Sequence, residues 1–219
     1  MLTKNAASNI TAPTQFLEVR DKKYAFRRFG AGRGLPLLCL QHFTGTMDNW
    51  DPAVTDPLAG GREVILFESA GVGRSGGTVP TTMAGMAAHA FAFLDGLGIK
   101  TCDVLGFSLG GMVAQQMAVE RPSVFRRMIL VGTAPRGGSD IMHLDKPRLA
   151  HALKLQGYAV LQALFFAPTD TSQKAARPSR TGSCSAARIA SRSPARPLPA
   201  LRWPHSVNGK PCPANALPV

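Results

Sequence analysis

Two short segments near the N-terminus alternate apolar and polar positions. Phe16-Leu17-Glu18-Val19-Arg20 and Tyr24 to Phe29 flank Asp21-Lys22-Lys23, a pattern that predicts an antiparallel strand pair. Farther on, the alternation gives way to continuous apolar runs at Leu35–Gln41, Glu63–Glu68, Cys102–Phe107 and Arg127–Val131. Runs of that length are expected of strands covered on both faces. Helical periodicity fills the intervals. Asp51 can cap a short helix that has Pro52 at its first position. Met83, Met86, Ala87, Ala90, Phe91, Leu94 and Leu97 mark one face of a helix over 81–97, stopped by Gly98. A further helix runs from the glycines after Phe107 to Arg121-Pro122. Strands alternating with helices at this spacing predict an α/β fold with a mostly parallel sheet and flanking helices.

After Gly132 the alternation stops. Thr133 to Asp145 reads as loop, and Pro147 to Phe166 as a Leu-rich helix with a break at Gly157. From Thr171 onward no period is visible, and eight Pro and seven Ser fall in the last 49 residues. Such a segment buries too little apolar surface to offset its ordering entropy and is expected to be disordered. The expected organisation is therefore a flexible 1–14, an α/β core over 15–135, a helical excursion over 136–170 and a tail over 171–219.

Charge sharpens the last boundary. The chain of 219 residues carries a formal charge of +12. Residues 171–219 hold six Arg and two Lys and neither Asp nor Glu, where ordinary composition would give about six acidic residues. A basic tail can bind nucleic acid, but Trp203 is the only aromatic in it, so stacking support for such binding is poor. The N-terminal residues lack the apolar core of a signal peptide, and no apolar run is long enough to span a membrane. Cys39 and Cys102 sit inside predicted strands, and no pair among Cys39, Cys102, Cys184 and Cys212 has metal-ligand spacing. A reducing, cytoplasmic setting with no metal or cofactor is the expectation.

The chemistry converges on Gly106-Phe107-Ser108-Leu109-Gly110. An apolar strand precedes Ser108 and a helix follows it. A turn that sharp crowds its neighbours, so Gly106 and Gly110 must lack side chains, and Ser108 Oγ is held out of the sheet before a helix N-terminus. This is the G-x-S-x-G nucleophile elbow in its proper context. With it, residues 16–170 resemble the α/β-hydrolase superfamily, and most closely its small-molecule esterase and cofactor-free haloperoxidase-like branch. Gln41-His42-Phe43-Thr44-Gly45 with Trp50 is similar to the family's turn after its third strand. Registered on Phe43 and Trp50, Gln41 stands at the family's His and His42 at its Gly, a departure that is expected to strain that turn. The resemblance implies an oxyanion hole from the backbone N–H groups of Phe43 and Leu109, which is usually the largest catalytic contribution.

Glu68-Ser69-Ala70-Gly71-Val72-Gly73-Arg74-Ser75 is similar to a structural turn of the same family. Its letters also give G-x-G-x-x-G from Gly71 to Gly76. A dinucleotide fingerprint needs a helix opening at those glycines and an acidic residue closing a strand about twenty residues on. Thr78-Val79-Pro80 intervenes instead, and Asp95 falls within a helical pattern.

A serine hydroxyl needs a base and a group that orients the base. The family order is Ser, then Asp or Glu, then His, with the last two after the seventh and eighth strands. No such strands are visible after Phe166. His143 and His151 lie where the family places its cap and are the candidate bases; Asp140 and Asp145 are conceivable acids. His89 reads as a helix-face residue, and His205 lies in the tail. The Arg, Pro, Ala and Ser bias of the tail is what a GC-rich gene gives when read out of frame, so a frameshift near codon 170–177 is the expectation, leaving the sheet without its last strands. Two functions follow. One is a serine hydrolase that acts on small esters or related acyl compounds through Ser108. The other is a catalytically incompetent hydrolase domain, inert or used for binding.

Overall fold

The computed structural model describes residues 8–43, 45–137, 151, 154–155, 159, 162–163, 166–175, 206–207 and 210–211. The alternating N-terminal segments form β1 (Gln15–Val19) and β2 (Lys22–Gly30). There follow β3 (Leu37–Leu40), α1 (Pro52–Ala59), β4 (Glu63–Phe67), α2 (Met83–Gly96), β5 (Cys102–Phe107), α3 (Leu109–Glu120) and β6 (Phe125–Val131). Two helix ends are those the sequence predicts. Asp51 accepts the Ala53 N–H at 2.9 Å with Pro52 in the first turn. At the C-terminal end of α2, Ile99 N–H reaches back to the Leu94 carbonyl at 2.9 Å, and Gly98 takes φ 72° to allow it. That is the Schellman closure that favours glycine.

The strands form one sheet in the order β1-β2-β4-β3-β5-β6. β1 and β2 are antiparallel, as are β2 and β4, and the remaining pairs are parallel. β3 lies between β4 and β5 and all four of its residues are buried. Its side chains alternate between two cores. Leu38 and Leu40 pack with Phe67 and Val104 beneath α2 and α3, while Leu37 and Cys39 pack with Leu66 and Leu105 against Met47 and Trp50. Phe67 and Phe93 stack with centroids 4.4 Å apart, which ties β4 to α2. Burial pushes the Cys39 and Cys102 thiols up, so both are inert core residues.

β6 closes the described sheet differently. Met128, Ile129, Leu130 and Val131 are 39–47 % exposed, although they are as apolar as β3. Among the described residues nothing pairs with the outer edge of β6.

Beyond Gly137 the description is partial. His151, Ala159, Gln162 and Ala163 have helical backbone, within the segment expected to be a helix. In the segment expected to lack structure, Asp170–Ala175 forms a short helix, α4, and Ser206–Val207 (β7) pairs antiparallel with Lys210–Pro211 (β8). No helix among the described residues is long and apolar enough to cross a membrane.

Candidate active site

Ser108 sits at the junction of β5 and α3 with φ 53° and ψ −119°. A non-glycine residue at positive φ is strained, and such strain collects at functional positions. The elbow is held from several sides. Ser108 N–H donates to the Val131 carbonyl at 2.9 Å, and the Ser108 carbonyl accepts from Gly111 N–H at 2.9 Å. Thr133 Oγ1 donates to the same carbonyl at 2.7 Å. Among the described residues nothing bonds the Ser108 hydroxyl.

The two glycines are required by close approach. A Cβ on Gly110 would lie 2.1 Å from the Leu40 carbonyl oxygen, and one on Gly106 would lie 2.6 Å from Gly111 Cα. Both contacts are with backbone, which cannot swing aside. Glycine at these positions lets α3 start directly against the end of β3.

The turn after β3 approaches the same place. Gln41, His42, Phe43 and Gly45 line a pocket together with Leu109 and Gly110. The structure thus brings the two residues expected to supply oxyanion donors, Phe43 and Leu109, to one cavity of about 30 Å³. The expected strain at His42 is absent, because Arg20 and Ser108 are the only non-glycine residues at positive φ among those described. The turn is closed by other means. His42 N–H donates to Gln41 Oε1 at 3.0 Å and Gly45 N–H donates to the His42 carbonyl at 3.0 Å. The His42 ring meets the Phe107 ring edge-on at 5.7 Å, and burial lowers its pKa below the ordinary histidine value.

The glycine turn after β4 is a clamp and not a phosphate loop. Gly71 and Gly73 take φ 74° and 55°. The Glu68 carboxylate lies where a Gly73 Cβ would be and accepts the Arg74 N–H at 2.6 Å. Ser75 Oγ accepts from Ala25 N–H at 2.9 Å and donates to the Glu68 carbonyl at 2.7 Å. α2 begins only at Met83, so no helix N-terminus faces these glycines and the dinucleotide reading fails. Burial raises the Glu68 pKa against the opposing pull of Arg74. Beside it, burial pulls Asp48 up, but hydrogen bonds from Arg27 and Arg74 outweigh that and hold it below the ordinary carboxylate range. Arg27, Asp48, Arg74 and Glu68 form one ion-pair chain. No local sequence signal points to it, since its partners come from β2, the turn after β3 and the turn after β4.

The remaining polar candidates separate. His89 Nδ1 lies 2.6 Å from Tyr24 Oη, a structural contact on α2. Asp95 pairs with Arg121 on the outside. Asp103, at the end of β5 away from Ser108, is held below its ordinary range by hydrogen bonds from Arg126 and Arg62. His151 is exposed. His143, His205, Asp140 and Asp145 lie outside the described residues. Among the described residues no group of three or more His, Cys, Asp or Glu is placed to hold a metal.

A strained serine between a parallel strand and a helix, beside a turn that carries backbone donors, defines the hydrolase-elbow class of α/β folds. The family model for the alpha/beta hydrolase fold matches residues 36–218, most of the chain, and the chain belongs to that family. It is similar to a solved alpha/beta hydrolase fold protein from Chitinophaga pinensis, with 44% identity and a TM-score of 0.71 over 77% of this chain and 61% of that one. It is 35% identical over 133 residues to a dihydrolipoyllysine-residue acetyltransferase component of an acetoin cleaving system from Cupriavidus necator, covering 60% of this chain and 34% of that protein. It is 29% identical over 140 residues to a protein of Azorhizobium caulinodans named as the carbamate hydrolase RutD, covering 63% of this chain and 52% of that protein. The chain thus spans a third to a half of the length of these curated relatives. Hydrolase names recur among its curated relatives.

Proposed function

We propose that the chain is a serine hydrolase acting on small esters or related acyl compounds, carbamates among them, through an acyl-enzyme at Ser108. In this reading Ser108 Oγ attacks the acyl carbonyl and its proton passes to a base. The N–H groups of Phe43 and Leu109 hold the oxyanion, the leaving group departs protonated, and water then releases the acid and regenerates the hydroxyl. The observation that carries the reading is the φ of 53° at Ser108, strain that an ordinary strand-to-helix turn has no reason to keep. The family's preference for small-molecule substrates and the relatives named as carbamate hydrolases support the substrate class. His143 and His151 are the candidate bases.

A second reading is a hydrolase-fold domain without a competent base. The observation in its favour is that His42 is the only described histidine lining the pocket, and it belongs to the oxyanion turn. Hydrolysis of nitrophenyl acetate separates the two. Turnover that disappears in Ser108→Ala, and also in His143→Ala or His151→Ala, supports the enzyme. Turnover no greater than that of Ser108→Ala decides for the domain without a base.

A further inference from the structure

The pocket beside the elbow is small and its lining is of two kinds. Leu40, Phe67, Met86 and Val113 give apolar walls, and Gln41, His42 and Ser69 bring polar groups. The volume of about 30 Å³ has room for about two water-sized groups.

Two of these side chains, Gln41 and Ser69, have unused capacity. Gln41 Oε1 accepts the His42 N–H at 3.0 Å. Because a backbone N–H can only donate, the atom facing it is the oxygen, and the amide NH2 is the other end. The side chain is also wedged in place, since its Cγ lies 2.1 Å from where a Gly45 Cβ would be. Among the described residues nothing accepts from Gln41 Nε2. Ser69 uses its carbonyl to accept Val72 N–H at 3.0 Å, and its hydroxyl has no partner among the described residues. A purely alkyl group filling this pocket would displace water from both groups and leave them unpaired. Both residues are half-buried, so it is the bound group that would cut them off from water; stranding donors in this way is costly, and sites of this kind discriminate strongly against the analogue that lacks the hydrogen-bonding atom.

We infer that this pocket receives the acyl side of the substrate and selects a short acyl group that carries a hydrogen-bonding atom on the carbon next to the carbonyl, as in a 2-hydroxyacyl ester. The inference rests on acyl transfer at Ser108. Gln41 Nε2 and Ser69 Oγ recognise the polar atom, and the apolar walls limit length.

Glycolyl and propionyl esters test this, because they differ only by a hydroxyl in place of a methyl. With the full chain and the phenyl esters of acetate, glycolate, propionate and hexanoate, kcat/KM for glycolate should exceed that for propionate by about 10-fold or more. Hexanoate should be the poorest of the four. In Ser69→Ala the glycolate-to-propionate ratio should shrink to within about threefold, and Val113→Ala should favour hexanoate relative to acetate. Equal rates on glycolate and propionate, or hexanoate turned over as fast as acetate, overturn the inference while leaving Ser108 chemistry standing. No turnover of any ester above that of Ser108→Ala overturns both.

Discussion

The backbone N–H of Ser108 donates to the carbonyl of Val131, 2.9 Å away. Val131 is the last residue of β6 and is 45 % exposed. Thr133, two residues on, donates its hydroxyl to the Ser108 carbonyl and packs its side chain into the space a Gly111 Cβ would need. Both backbone groups of the elbow residue are therefore tied to the end of the sheet's exposed strand.

Thr133→Val keeps the shape and removes the donor. The Ser108 carbonyl still accepts from Gly111 N–H, so the loss is one hydrogen bond of about 1 kcal/mol. Urea denaturation should report a lower midpoint with an unchanged slope. If Ser108 is the nucleophile, its acylation should slow as well.

Replacing Ser108 by glycine tests the strain directly. Glycine accepts φ 53° without the Cβ penalty, so Ser108→Gly should gain about 1 kcal/mol of stability and raise Tm by about 2–4 °C. Acyl transfer should vanish in the same variant. Calorimetry beside an ester assay checks both, and a lower Tm would show that the elbow is relaxed.

The acid limb of stability should depend on Asp103. Hydrogen bonds from Arg126 and Arg62 depress its folded pKa below the 3.8 of the free side chain. The unfolded chain therefore takes up this proton first as pH falls, and the stabilisation present above pH 3.8 is lost through the lower, folded pKa. Asp103→Asn should lower Tm at pH 7 by about 2–4 °C. The gap to the wild-type chain should narrow below pH 3.8. A gap that stays constant with pH would assign Asp103 a packing role only.

The edge of β6 predicts poor behaviour in solution. Four consecutive apolar residues stand 39–47 % exposed on a strand with no outer partner among the described residues. Open apolar edges template association. Ile129→Lys, the most exposed of the four, should raise soluble yield several-fold on the order expected for an edge charge. A wild-type chain that elutes as a sharp soluble monomer at high concentration would count against the edge.

The strands of the sheet and the elbow were legible because their signals are local. Gly-x-Ser-x-Gly needs five residues, and an apolar run such as Leu37–Leu40 announces burial by itself. β6 begins at Phe125, two residues earlier than its apolar run predicts, because Arg126 disguises the start while pairing with Asp103. The ion-pair chain through Arg27, Asp48, Arg74 and Glu68 was not legible, since residues 21 and 26 positions apart meet only in the folded sheet. The turn at His42 misled for a similar reason. Residue type alone predicts strain there, whereas the Gln41 side chain supplies the closure.

The strand order has a consequence for synthesis. β3 lies between β4 and β5, yet it leaves the ribosome before either. Leu37–Leu40 acquires its second neighbour only when Phe107 has emerged, which at roughly 5–20 residues per second is on the order of several seconds later. Throughout that interval the most apolar strand of the nascent chain is half covered at best. Holdase chaperones that bind nascent chains therefore have their natural target here, and codon choice between Leu40 and Phe107 becomes a lever on yield that leaves the protein itself unchanged.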